Sequence, residues 1–163
     1  MADQLELTTT LNKAYVPLTS TQQLIYALIE VVPNEVISKA RMHVNFGFVL
    51  DHSGSMRGAK IERLKEAMNL ALSKMAPEDL VSVTIFNDNA QVLAKQAPLS
   101  EQKGLADRIQ AIRAGGGTQM SRGMSLGLRE VYHAFKDDYV NQLLLLTDGQ
   151  TYGDESQCTK LAK

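Results

Sequence analysis

Apolar positions change their spacing along the chain, and each change marks an element. Through residues 1–45 apolar and polar positions alternate. Leu5, Leu7 and Leu11 form one run, and Leu24-Ile25-Tyr26-Ala27-Leu28-Ile29 a second. Asn12-Lys13 and Ser20-Thr21 read as turns or loops, and Pro33-Asn34 closes the second run. This predicts two or three antiparallel strands, which are marginal in water by themselves and must pack on something else.

From Val44 the pattern is different. Val44–Leu50 is a nearly continuous apolar strand with Asp51 at its carboxyl end. Ile61, Leu64, Met68, Ala71, Leu72 and Met75 fall on one face of an amphipathic helix that Pro77 ends. Leu80–Phe86 is the next strand, and Asn87-Asp88-Asn89 turns it back into Gln91–Ala94. Leu105, Ile109 and Ile112 mark a second helix, and Gly115-Gly116-Gly117 a loop. Met124, Leu128, Val131 and Phe135 mark a third helix face. Leu143–Leu146 is apolar at every position, as expected of a strand covered on both sides. After Thr147-Asp148-Gly149, Asp154 is placed to cap a helix over Glu155–Lys163, with Gln157 completing a capping-box-like start. Helices interleaved with buried strands predict an α/β fold. It is a Rossmann-like open, mostly parallel sheet flanked by helices, preceded by a short antiparallel β segment.

Composition narrows the functions this fold could serve. The chain has 163 residues, 44% hydrophobic and 21% charged, and 17 basic residues nearly balance 18 acidic ones. Such balance argues against broad electrostatic binding to nucleic acid or an anionic membrane. No stretch approaches the roughly 20 apolar residues of a membrane span. The start, Met1-Ala2-Asp3-Gln4-Leu5-Glu6, lacks the basic lead and apolar run of a secretory signal. A single cysteine, Cys158, rules out an intrachain disulfide framework and makes a reducing cytoplasm the default expectation. The histidines His43, His52 and His133 show no metal-binding spacing.

The chemistry concentrates at the ends of the apolar strands. Asp51-His52-Ser53-Gly54-Ser55-Met56 puts one carboxylate and two hydroxyls at alternate positions of a tight loop, bent at Gly54. Three hard oxygens suit magnesium, which keeps several waters and takes only one or two carboxylates; zinc or copper would want His or Cys. Gly115-Gly116-Gly117-Thr118 offers another hydroxyl on a backbone able to approach closely, and Thr147-Asp148-Gly149 a second carboxylate. In open α/β sheets ligands sit beyond the carboxyl ends of the strands, where these three segments would meet.

Asp51-x-Ser53-x-Ser55, then Gly-Gly-Thr, then Thr-Asp-Gly, in that order, resembles the metal-ion-dependent adhesion site of von Willebrand factor A domains. The resemblance covers roughly residues 44–163, and all five motif positions match. It implies a divalent cation (Mg2+, with Mn2+ or Ca2+ as alternatives) held by Asp51, Ser53, Ser55, Thr118 and Asp148. Ser53 and Ser55 would be direct ligands, and Thr118 and Asp148 would switch with state. It further implies an open coordination position that accepts an Asp or Glu carboxylate from a protein partner, in a binding module and not an enzyme. The implied kind is that of intracellular prokaryotic proteins.

Alternation points His52 away from the ligands, to the rim; Arg57, Lys60 and Arg122 flank the site, where Arg57, Arg122 and His52 are candidates for touching an acidic partner and solvated surface is the plainer account. Two other functions compete. A magnesium-dependent phosphohydrolase also puts an Asp after a buried strand, but wants a second acid two residues on, where this chain has Ser53. A structural domain with a degenerate metal site is the other. The chain lacks both a Gly-x-x-x-x-Gly-Lys-Ser/Thr nucleotide loop and a Gly-x-Ser-x-Gly elbow.

The resemblance also implies helix and strand units beyond Thr147-Asp148-Gly149. Residues 44–163 are therefore expected to form a von Willebrand factor A domain incomplete at its carboxyl end, to be completed by a further segment or a second polypeptide. The Leu143–Leu146 strand would pair with the Asp51 strand on one side and present an open edge on the other, an association hazard. Residues 1–43 are expected to be β-strands, for which the resemblance offers half of a β-sandwich.

Overall fold

The computed structural model describes residues 5–11, 26–33 and 42–163, which fall into two units. In the first, β1 (Leu5–Leu11) and β2 (Ala27–Pro33) pair antiparallel, from Leu5 opposite Pro33 to Leu11 opposite Ala27. Leu7, Leu11, Leu28, Ile29, Val31 and Val32 are all at least half exposed. A two-stranded ribbon this apolar needs cover, as the alternation of its sequence implied. Leu24 and Ile25, the two proposed turns and any third strand lie outside the described residues.

The second unit is the α/β domain. Its strands are β3 (Val44–Asp51), β4 (Leu80–Phe86), β5 (Ala90–Pro98) and β6 (Val140–Leu146), in the spatial order β5-β4-β3-β6. β3 pairs parallel with β4 on one side and with β6 on the other, while β5 returns antiparallel along β4. The helices are α1 (Ala59–Lys74), α2 (Leu105–Gln110), α3 (Met120–His133) and α4 (Glu155–Leu161). No helix among the described residues is long and apolar enough to cross a membrane.

Period-two alternation sends the central strands to two cores. Phe48, Leu50, Val81, Val83 and Ile85 pack with Ile61, Leu64 and Met68 of α1 and with Leu105 and Ile109 of α2. On the other face Val49 and Phe86 meet Met120 and Met124 of α3, with Leu143, Leu145, Cys158 and Leu161 around them. The α1 face is the expected one, though the helix ends at Lys74, and Met75 is already extended ahead of Pro77. Asp79, fully buried, ties this corner together by accepting hydrogen bonds from the main chain of Ala76 (2.7 Å) and Val44 (3.3 Å).

The expectations for β6 and for the face of α3 need correction. Leu143–Leu146 is not covered on both faces, since Leu144 is 45% exposed; among the described residues β6 pairs with β3 alone, which leaves the expected open edge. An apolar run specifies burial of its inner face, not of both. The buried face of α3 is also different: it is Met120, Gly123, Met124, Gly127 and Val131, whereas Phe135 lies past the helix end and is 52% exposed. Counting apolar side chains overlooks glycines, which here let the helix sink onto the sheet. A Cβ on Gly123 would lie 2.6–2.9 Å from three atoms of Phe86, and one on Gly47 of β3 would lie 2.9 Å from Leu143 Cδ1.

With two interior glycines and no local cap, α3 is a poor helix by propensity. Remote residues hold both of its ends. At the carboxyl end the buried Asn45 side-chain amide donates to the Val131 carbonyl (3.1 Å) and the Ala134 carbonyl (3.2 Å). At the amino end Asp154 accepts from the Ser121 main-chain N–H at 2.7 Å. Asp154 thus makes no side-chain cap on its own helix α4 but caps α3, and Gln157 accepts from the Ser121 hydroxyl at 3.2 Å. Burial pushes the Asp154 carboxyl up, but hydrogen bonds from Thr151 and Ser121 outweigh it and hold the group below its usual value of 3.8.

Two substitutions test this account. Gly123→Ala gains up to about 1 kcal/mol of helix propensity but overpacks Phe86 at a cost of about 1–3 kcal/mol; a net loss of stability is expected in urea denaturation. Asp154→Ala leaves a buried N–H unpaired and costs about 1–3 kcal/mol at neutral pH. Because the folded carboxyl titrates below 3.8, its contribution is complete above that value and disappears as pH falls through the lower folded one. The difference between wild type and variant should therefore narrow in melts run at increasingly acid pH.

Candidate functional site

The carboxyl ends of three adjacent strands each deliver a polar residue to one rim. Asp51 ends β3, Asn87 follows β4 and Thr147 follows β6, and the parallel register that sets Asp51 beside Phe86 and Leu50 beside Leu146 brings them level. Asp51 is fully buried. One of its oxygens accepts from the Ser53 main-chain N–H at 2.8 Å, the other from the Thr147 hydroxyl at 2.7 Å. Its carboxylate is thus fixed in orientation while each oxygen keeps a free lone pair.

A 3-10 turn at Gly54–Met56 folds the loop so that the Ser53 and Ser55 hydroxyls lie 3.0 Å apart. Ser55 also helps to hold the Asp148 carboxyl low. Asp51, Ser53 and Ser55 are thus linked by hydrogen bonds, and Thr147 ties the Asp148 segment to them although it lies nearly a hundred positions away.

The loop before α3 is stitched to this turn through its backbone. The Gly54 N–H donates to the Gly116 carbonyl (2.9 Å), and the Gly115 N–H donates to the His52 carbonyl (2.8 Å). Asn87 secures the other side, its amide donating to the Gly115 carbonyl at 3.0 Å while its own carbonyl accepts from Gln119 at 2.7 Å. Gly116 has φ 83° and lies so close beneath Asn87 and Asp88 that no Cβ would fit. The glycine run serves close approach. Thr118, two residues on, is 5% exposed, and its carbonyl takes the Thr151 hydroxyl at 3.4 Å.

Asp148 lies half-buried, with Lys60 of α1 donating to it at 2.7 Å. That bond, aided by those from Ser55 and the Gln150 main chain, holds its carboxyl below the usual range against the pull of desolvation. Oxygen dominates the rim, as carboxylates and hydroxyls, and among the described residues no three of His, Cys, Asp and Glu gather as a metal cluster.

The flanking residues divide. The His52 ring reaches the neighbouring loop, Nδ1 lying 3.1 Å from the Arg113 carbonyl, and so braces it. Arg57, just after the 3-10 turn, is exposed. Arg122, in the first turn of α3, reaches the Asp88 carbonyl and Asn89 side chain at 3.4 Å each. Sequence reasoning passed over Thr147 and Asn87 as site residues and took Lys60 for solvated surface. The legible signal for the first two was the one that exposed Asp51: a polar residue directly after a buried apolar strand.

Comparison with known proteins agrees with this geometry. Residues 46–150 match the family described as von Willebrand factor type A domain. An uncharacterized protein of Synechocystis sp. is 34% identical over 122 residues, 74% of this chain and 29% of that protein. Human inter-alpha-trypsin inhibitor heavy chain H1 is 32% identical over 133 residues, 73% of this chain but 14% of the heavy chain. The chain thus spans under a third of the length of these relatives. Among solved structures, a von Willebrand factor type A protein from Catenulispora acidiphila superposes with a TM-score of 0.65 at 18% identity, over 99% of this chain and 39% of that one. The vWF domain of the type V pilus tip protein Mfa5 from Porphyromonas gingivalis gives 0.53 at 22% identity, over 68% and 39%. At such identities the likeness concerns the fold. Domains of this kind are generally protein-interaction modules and not enzymes. The matched stretch, the sheet order and the relatives agree: this chain belongs to the von Willebrand factor type A domain family.

Proposed function

We propose that the rim formed by Asp51, Ser53, Ser55, Thr118 and Asp148 holds a divalent cation, and that a partner protein docks by lending that cation an Asp or Glu carboxylate. The observation that carries this reading is the hydrogen-bonded set Asp51, Ser53 and Ser55, joined to the Asp148 segment through Thr147 and locked beside the Thr118 loop by backbone hydrogen bonds. The donor set suits the ion. Two carboxylates and three hydroxyls are hard oxygens, matching Mg2+ or Mn2+, with Ca2+ a looser fit.

Electrostatics supports the vacancy for a partner. Two carboxylates only balance a dication, and Lys60 already offsets one of them. The bound ion would therefore stay electrophilic, and an incoming carboxylate would supply the missing negative charge. When bound, the ion would supply that attraction. The chain's own residues do the positioning: Thr147 and the Ser53 N–H orient Asp51, and the stitched glycine loop sets the position of Thr118.

Saturating Mg2+ should stabilise the chain relative to chelator, by about 2.7 kcal/mol at a hundred times Kd. Thermal melts should show that gain, and it should vanish in Asp51→Asn and Ser53→Ala. Melts in which both variants respond like wild type would remove the site from consideration. Lys60 gives a signed check. Its ammonium competes with the cation for Asp148, so Lys60→Met should bind Mg2+ a few-fold tighter by calorimetry, as suits an exposed charge worth about 1 kcal/mol or less.

A further inference from the structure

A cleft of about 630 Å3 opens between α3 and α4, beside the turn that joins β4 to β5. Its charge is one-sided. Arg122 and Arg129 on α3 and Lys160 on α4 line it, and no acidic residue does. Arg129 and Lys160 are exposed and make no ion pair or hydrogen bond among the described residues. The nearby acids are committed elsewhere. Asp154 is buried under the Ser121 N–H, Glu130 accepts from Gln96 on β5, and Glu155 accepts from Gly153. In a chain of net charge -1, three cations along one cleft with no acid in its lining make an electropositive groove.

Between the cations the lining turns apolar, with Ala90, Leu126 and Leu161. Ala90 and Leu161 also back onto the core beneath α3, which makes them a firm floor. Arg122 and Arg129 are seven residues apart on one helix, about 10 Å at 1.5 Å per residue. An extended peptide in the polyproline II form advances about 3.1 Å per residue with three residues per turn, so side chains three positions apart share one face about 9 Å apart.

We propose that this cleft is a docking groove for an extended acidic segment of a protein partner. Carboxylates about three residues apart would pair with Arg122 and Arg129, Lys160 would close the far wall, and an apolar side chain between the acids would settle on Leu126 and Leu161. Charge complementarity selects the occupant. A lone phosphate is disfavoured because the cations are spread along the groove instead of converging, and because the Ser121 N–H that could have joined them is taken by Asp154. The groove needs no cation, so it stands apart from the reading of the Asp51 rim.

The test is fluorescence anisotropy on the full 163-residue chain with a labelled peptide carrying Glu at every third position and Leu between. A second peptide with Gln for Glu, and inorganic phosphate as competitor, complete the probes. The Glu peptide should bind, weaken as salt rises, and lose about ten-fold or more in affinity in Arg129→Glu/Lys160→Glu. Both side chains are exposed, so the variant's melt should match wild type; single Arg129→Gln should give a smaller loss. Binding should persist in chelator and in Ser53→Ala, which separates this groove from the cation site. No binding, equal binding of the Gln peptide, indifference to the double reversal, a requirement for Mg2+, or displacement by stoichiometric phosphate would each overturn the assignment.

Discussion

How closely α3 lies on the sheet governs the rest of the α/β domain. Gly123 and Gly127 face Phe86 and Val49 without side chains, and Gly47 opens the same space from the strand side. That approach sets the helix axis, and with it the point where the preceding loop arrives at the rim. The helix itself contributes little to holding this position. Its interior glycines weaken it, and its ends depend on Asn45 beneath one terminus and Asp154 at the other. Tertiary contacts thus do the work that local propensity does in a more ordinary helix.

At the rim the same economy applies to charge. Asp51 is dry and held by two donors, one from its own loop and one from β6's end. Asp148 is wetter and paired with a mobile-stemmed lysine. One acid is thus oriented by fixed dipoles and the other by a side chain that can withdraw. The two carboxylates of the rim sit in different electrostatic company.

Much of this was legible in the sequence, for reasons that differ by element. Leu80–Phe86 and Val44–Asp51 stood out because central strands need apolar side chains on both faces, and α1 because its Ile61, Leu64 and Met68 repeat at helical spacing. Asp51, Ser53, Ser55, Thr118 and Asp148 were recognisable as a set because their spacing and order matched a family motif, and the structure brings their segments to one rim. What stayed hidden was what depends on partners far along the chain. Asp154 resembled a local cap because nothing in Asp154–Gln157 reveals that Ser121 needs an acceptor. The buried face of α3 was misjudged because glycine scores as neither apolar nor polar, although here its small size is the packing feature. Lys60 looked like one more surface cation, since its partner lies 88 positions away.

The bond between Asp154 and Ser121 also has a mechanical meaning. A load applied to the chain beyond Leu161 enters the domain through α4, and this hydrogen bond lies across its path to α3. If it parts, the first turn of α3 loses the carboxylate that accepts its Ser121 N–H. A pull on α4 would be felt first at the amino end of α3.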